Sequence, residues 1–314
     1  MPEGHSIHRL AHAFAELFGG QALAVSSPQG RFADGAALLD GHRLLRTDAH
    51  GKHLFLGFAA GRVGEGPADA DLRWLRVHLG LYGSWTFAGD STFSGPHAIG
   101  APRRRVGEEE QAVAGIDAAA PGEWTPPAPR GAVRVRLLGT HGVADLTGAA
   151  ACEVVTPAEK AAVQGRLGPD PIRADGDGEE FVRRAGGRRR AIGELLMDQE
   201  VISGVGNIYR SESLHRARLH PRRLGRDVPL ARLRALWGDL ATLMADGVAT
   251  GRIVTVDAEH ALDDAADPEA ARWYVYHRTG RPCLVCGTRV SETDMQGRRV
   301  FWCSRCQRAP RRRT

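Results

Sequence analysis

Ser203-Gly204-Val205-Gly206-Asn207-Ile208-Tyr209 interrupts a helical stretch and lets it restart. On its upstream side Ile192, Leu195 and Leu196 recur at helical spacing, and downstream so do Leu233, Leu236, Trp237, Leu240, Leu243 and Met244. The glycines permit positive φ and close backbone approach, and Asn207 is a residue type that caps a helix. A helix, a tight glycine turn and a second helix turn several backbone N–H groups outward, which suits a phosphate. An ordinary helix hairpin has the same pattern. Eleven arginines between residues 181 and 226, against Glu194, Asp198, Glu200 and Glu212, give the segment a cationic bias that favours an anionic partner.

Further along stand Cys283-x2-Cys286 and Cys303-x2-Cys306, separated by sixteen residues. Two such knuckles can close a tetrahedral Zn2+ site. Residues 298–314 carry seven arginines and no acid, so the surface that a zinc ion would rigidify is built to meet nucleic acid. Cys152 is left over and reads as a small buried hydrophobe, and an unpaired thiol favours a reducing compartment. The first twenty residues lack an uninterrupted apolar stretch, and no segment has the length to span a bilayer. A cytoplasmic, monomeric protein without membrane association is expected.

The chain has 314 residues, 42% hydrophobic and 25% charged, with a net charge of +5. That is enough for more than one globular domain. Ile7, Leu10, Ala11, Phe14, Leu17 and Phe18 predict a leading amphipathic helix, with Ser6 as its cap and Gly19-Gly20 as its stop. Short runs at 54–58, 72–79 and 133–138 then predict strands of a small β-sandwich or flattened barrel. From Gly89 to Arg130 the pattern lapses into Pro, Gly, Ala and charge blocks, which predicts an inserted loop. Beyond Thr156-Pro157 the pattern turns helical. The fold class is therefore α+β, with a β-sandwich domain at 1–155, a helical domain at 156–277 and a zinc finger at 278–314.

Two further features concern chemistry. Only two of the 42 basic residues are lysines, Lys52 and Lys160. An ammonium offers contacts and proton chemistry that a guanidinium does not, which singles out Lys52 in Gly51-Lys52-His53. Removal of Met1 would leave Pro2 as a secondary amine, a nucleophile able to form an iminium, with Glu3 beside it as acid or base.

In this order, Met1-Pro2-Glu3-Gly4, Gly51-Lys52, His78-Leu79-Gly80-Leu81-Tyr82-Gly83, Ser203 to Glu212 and Val275-Tyr276-His277-Arg278 running into the cysteines, the chain resembles the formamidopyrimidine-DNA glycosylase and endonuclease VIII family over nearly its whole length. The resemblance implies a base-excision repair enzyme that flips a damaged nucleotide, cleaves its glycosidic bond and nicks the strand by β,δ-elimination. It implies that Pro2 attacks C1′, that Glu3 handles sugar protonation and that Lys52 contacts phosphate and assists elimination. Asn207 (with Gly206 in the same turn) and Arg298 match the positions that grip the phosphates flanking the extruded nucleotide, with Arg299 as a rival. Leu81 and Tyr82 match the loop that fills the gap left by the base. The implied partner is damaged DNA, as duplex or in single-stranded or bubble form.

His5 and Ser6 depart from the formamidopyrimidine branch, which usually has a second proline and glutamate there. The Arg103-Arg104-Arg105 run does not occupy that branch's wedge position. Pro2-Glu3-Gly4 and Leu81-Tyr82 lie nearer endonuclease VIII, which favours oxidised pyrimidines. Two other classes share part of the pattern: a damage-binding protein without turnover, and a zinc-ribbon regulator that needs neither Pro2 nor Glu3.

Overall fold

The structure is a computed structural model that describes residues 2–60, 71–101, 124–261 and 270–309. The chain forms two compact units, Met1–Pro2 with Ser6–Gly165, and Glu3–His5 with Arg166–Thr314.

In the first unit the apolar stripe of helix α1 (Gly4–Phe18) packs on two antiparallel sheets. One has four strands in the order β2 (Arg43–His50), β3 (His53–Ala59), β4 (Arg73–His78), β9 (Ala151–Val155). The other has five, in the order β1 (Ala24–Ser26), β7 (Val133–Leu138), β8 (Gly142–Thr147), β5 (Ser84–Gly89), β6 (Ala98–Gly100). Leu54, Leu56, Phe58, Leu75 and Val77 of the first sheet join Trp85, Phe87, Val135, Leu137 and Leu146 of the second in one core. Phe14 of α1 sits edge-on to Trp85 at 4.8 Å between ring centres. The layers are those of the expected sandwich.

Strand β3 is buried on both faces, so it reads as a nearly unbroken apolar run instead of an alternating one. Its outward Phe55 joins Leu72, Trp74 and Val155 in a second small cluster, against which Val163 of α3 (Pro157–Gln164) packs. Helix α3 opens with a capping box between Thr156 and Glu159 and a proline in its first turn. Lys160 projects from it over the Trp74 ring at 4.4 Å, with its Nζ 2.6 Å from Asp48 Oδ2. Of the two lysines, this one is therefore engaged in packing the outer face of the sheet.

Two local expectations are corrected. Helix α1 begins at Gly4, so Ser6 lies within the first turn and is buried there instead of capping it. The stretch after Gly89 is not wholly loop: β6 pairs with β5, and Phe93 is buried beside Phe18 at 6.1 Å. Gly89 and Gly142 make room for that ring, since a Cβ on either would lie 2.2 Å from it. One aromatic and a three-residue edge strand suffice to hold this segment on the sheet. The Arg103-Arg104-Arg105 run and the rest of 102–123 lie outside the described residues.

The second unit comprises α4 (Gly178–Gly186), α5 (Ile192–Leu195), α6 (Asn207–Arg216), α7 (Leu230–Thr250) and the hairpin β10 (Val290–Met295) and β11 (Arg298–Cys303). Gln296 and Gly297, at φ 56° and 70°, form its two-residue turn, the left-handed pair that matches strand twist. Glu212 is fully buried on α6 and accepts hydrogen bonds from the N–H groups of Tyr274, Val275 and Tyr276 at 2.7, 2.9 and 2.7 Å, and from the Thr255 hydroxyl. Burial pushes this carboxyl up, while the donors favour its charged form. Three obligate N–H donors leave a carboxylate acceptor as the species that satisfies the geometry. Among the described residues, no helix is long and apolar enough to cross a membrane.

Candidate functional site

The turn at 203–206 brings the amino-terminal residues of the second unit onto α6. Glu3 is fully buried. One carboxylate oxygen accepts from the Gly206 N–H at 2.9 Å and the Tyr209 N–H at 3.4 Å, and the other accepts from the Ile208 N–H at 2.8 Å. Gly206 is the N-cap of α6 and has no side chain with which to satisfy these groups. Glu3 supplies the missing cap, and the positive end of the helix stabilises its charge. The glycines follow from closeness of approach. A Cβ on Gly206 would lie 2.4 Å from Glu3 Cδ, and one on Gly4 would lie 2.8 Å from Gly204 Cα. The Gly4 N–H also donates to the Gly204 carbonyl at 2.8 Å.

This corrects two readings of the turn. The N–H groups of Ser203, Gly204 and Gly206 donate within the chain, to the Pro169 carbonyl, the Gln199 amide oxygen and the Glu3 carboxylate, so these three do not point outward to a phosphate. Asn207 does not cap α6 but occupies its first helical position, and its side chain donates to the Arg299 carbonyl of β11 at 3.0 Å. The amide oxygen of Asn207 accepts from Arg210, which also donates to the Arg299 carbonyl at 3.2 Å. Arg210 is fully buried, and its Nε and second terminal nitrogen have no hydrogen-bond partner among the described residues. Burial, then the charge of Arg298, lowers it to about 10, against an opposing pull from Glu3. The second unit thus gathers Glu3, Gly206, Asn207 and Arg298 around a residue that the sequence reading missed. The available signal was its place three residues after Asn207, on the same face of a helix.

Arg298 and Arg299 are adjacent in β11 and point to opposite sides. Arg298 is half-buried at the hairpin turn, across from Met295. Arg299 is exposed, 3.5 Å from Glu292, with its guanidinium 6.0 Å from the centre of the Phe301 ring.

At the other end of the hairpin, the sulfurs of Cys283, Cys286, Cys303 and Cys306 all lie within 4.8 Å of one another. Cys286 and Cys303 are 3.4 Å apart, and Cys283 and Cys306 3.9 Å. Metal–sulfur bonds of about 2.3 Å in a tetrahedron require sulfurs about 3.8 Å apart. The donor set and its spacing fit a metal ion, and these four residues can hold one.

The first unit carries the other candidates. Gly51, at φ +59°, and half-buried Lys52 form the turn between β2 and β3, flanked by the paired His50 and His53. His53 also pairs with His78 in β4, so Lys52 and the 79–83 turn leave the same end of the sheet. Burial, then the charges of Lys52 and Arg76, hold the His78 imidazole below its ordinary range. In the turn, Leu81 is 45% and Tyr82 79% exposed, among few large apolar side chains left in solvent. The backbone beneath is tightly fitted: Gly80 has φ +68°, and the Gly83 N–H donates to the Leu79 carbonyl at 3.0 Å. Pro2 is buried, belongs with this unit and directly precedes Glu3. Cys152 packs partly buried against the core, and burial raises its thiol to about 12.

The segment 167–258, which contains the turn and both its helices, matches the formamidopyrimidine-DNA glycosylase H2TH domain. With that helical domain, a two-sheet domain and a four-cysteine hairpin, the chain belongs to the formamidopyrimidine-DNA glycosylase and endonuclease 8 family of DNA glycosylases and AP lyases. Its relatives include endonuclease 8 1 of Mycobacterium tuberculosis, 41% identical over 310 residues that cover 98% of this chain and 100% of that protein. Formamidopyrimidine-DNA glycosylase of Methylococcus capsulatus is 35% identical over 158 residues, 48% of this chain and 56% of that one. In fold the chain is similar to Lactococcus lactis Fpg in complex with DNA containing an abasic site, with a TM-score of 0.70, 17% identity, and coverage of 98% of this chain and 100% of that one. It is likewise similar to MutM of Thermus thermophilus, at a TM-score of 0.66, 24% identity and 98% of each chain.

Proposed function

We propose that the chain excises oxidised pyrimidines from DNA through a Pro2 Schiff base and nicks the strand by β,δ-elimination. The observation that carries this reading is the seating of Glu3, a fully buried carboxylate fixed by three backbone N–H groups immediately after Pro2. With Met1 removed, the Pro2 amine attacks C1′ of the flipped nucleotide. The base departs with the bonding pair and is protonated, and Glu3 manages the proton at the opening sugar. The resulting iminium acidifies the C2′ proton, whose loss expels the 3′ phosphate. A second elimination expels the 5′ phosphate, and water releases the sugar remnant from Pro2.

Lys52, Asn207 and Arg298 contact the phosphates around the lesion, and Lys52 assists the eliminations. Zn2+ is the ion proposed for the four cysteines. It supplies rigidity to the hairpin that carries Arg298 and takes no part in the bond changes.

Borohydride trapping on a duplex with one abasic site tests the mechanism, once mass measurement has shown that Met1 is absent. A covalent complex that disappears in Pro2→Gly is expected. Equal and negligible trapping by both proteins, with no strand scission, would sink it.

Leu81 and Tyr82 are proposed to fill the gap left by the flipped base. Because Tyr82 is mostly exposed, Tyr82→Ala should leave the urea midpoint unchanged while slowing excision of a damaged base on the order of tenfold, the penalty of an unfilled stack. Cleavage of a preformed abasic site should suffer less. Equal slowing of both steps would argue against the wedge.

A further inference from the structure

Two arginine-rich segments of the second unit run side by side. The Ile192 N–H donates to the Arg223 carbonyl at 2.7 Å, the Gly225 N–H to the Arg190 carbonyl at 2.9 Å, and the Arg226 N–H to the Arg188 carbonyl at 3.0 Å. Ala191 and Leu224 form an antiparallel bridge between them. The pairing concentrates Arg188, Arg189 and Arg190 beside Arg222, Arg223 and Arg226. Arg190 is neutralised by Asp198 at 2.6 Å, and Arg226 lies 3.8 Å from Asp227. Arg188, Arg189 and Arg222 are exposed and have no carboxylate partner among the described residues.

This ridge continues into the cysteine hairpin. Arg222 donates to the Thr293 hydroxyl of β10 at 3.3 Å. Thr293 stands two residues before Met295, the register partner of Arg298. At about 3.4 Å per strand residue, the ridge meets the hairpin about 7 Å from the level of Arg298. Gly193 of α5 packs closely there, since a Cβ on it would lie 2.9 Å from Met295 Sδ and 3.2 Å from Pro221 Cβ. Concentrated, unneutralised like charge costs stability when nothing offsets it. Guanidinium groups spread along a ridge suit a polyanion that carries one charge per about 3.4 Å of each strand.

We propose that Arg188, Arg189 and Arg222 form a phosphate-binding ridge that holds the duplex arm beyond the lesion, extending the grip that begins at Arg298. The proposal rests on the glycosylase reading for its partner and adds a footprint to it. The ridge carries charge and no base-reading geometry, so it strengthens binding to any sequence.

The test uses the full chain with its metal, and two duplexes containing a tetrahydrofuran abasic analogue. One extends a full helical turn on either side of the analogue, the other half a turn. In Arg188→Gln/Arg189→Gln/Arg222→Gln, the dependence of log affinity on log salt should become shallower by about two to three on the long duplex, with affinity weaker on the order of tenfold or more. The short duplex should be bound nearly as well as by the parent. The corresponding triple lysine variant should recover most of the slope, because it restores charge. An unchanged slope on the long duplex overturns the ridge. So does an equal loss on both duplexes, which would place the effect at the lesion or in the fold. Borohydride trapping reports the glycosylase reading separately: full trapping with an unchanged slope removes the ridge alone, and a slope change without trapping removes the glycosylase reading alone.

Discussion

Gly206→Ala is expected to abolish base excision in a protein that still folds. The added methyl would lie 2.4 Å from Glu3 Cδ and 2.6 Å from one carboxylate oxygen, so the carboxylate must leave the turn. Its departure frees the N–H groups of Gly206, Ile208 and Tyr209 at the start of α6. The loss of such a charged cap costs about 1.5–3 kcal/mol, a fraction of a domain's stability, so a cooperative urea transition at a lower midpoint should remain. Glu3→Gln offers a milder comparison, because the amide retains one acceptor oxygen and occupies nearly the same volume. On the proposed chemistry both variants should bind an abasic-site duplex, and both should fall by at least about a hundredfold in single-turnover excision, the range in which positioned acid–base groups act. Wild-type excision by Gly206→Ala would show that the seat of Glu3 has no part in the reaction.

Cys303→Ser should have the second large effect, on metal and DNA together. Cys303 is fully buried at the end of β11, opposite Val290, and belongs to the group of four sulfurs. A serine at one of four positions leaves the ion short of a thiolate, and affinity for structural zinc is large enough to be part of the folding energy. The loss would travel along the strand. The Arg299 carbonyl, four residues before Cys303, is the acceptor for both Asn207 and Arg210. A hairpin without its ion should therefore release the Asn207 side chain and displace Arg298. Zinc content by atomic absorption should fall well below one ion per chain, with abasic-duplex affinity down by at least about tenfold. Chelation of the parent protein should have the same consequence. Full zinc content in Cys303→Ser would remove that residue from the ligand set.

What could be read from the sequence depended on how local the determining contact is. The cysteine knuckles are legible because only two residues separate the cysteines of each pair. Strand β7 is legible because Val133, Val135 and Leu137 alternate with residues that face away. Strand β2 escapes, because Arg43, Arg46, Asp48 and His50 mask a strand that buries only Leu44 and Ala49. The turn at 203–206 was legible as a turn, while the destination of its N–H groups was not. The acceptor of the Gly206 N–H stands 203 residues earlier in the chain. Asn207 misled for a related reason: its residue type favours a cap, yet a long-range acceptor on β11 and the neighbouring Arg210 claim its side chain. Arg210 was submerged among eleven arginines in its region, and only its burial distinguishes it from those that face solvent.

The union of Glu3 with α6 also has a temporal side. Ribosomal synthesis makes Glu3 some two hundred residues before the groups that seat it. A contact between such distant positions closes only after a large loop has been ordered. Chains that stop short of α6 would thus carry Glu3 without the N–H groups that fix it. On the proposed chemistry, full base excision is expected only once the helical unit that seats Glu3 has been made.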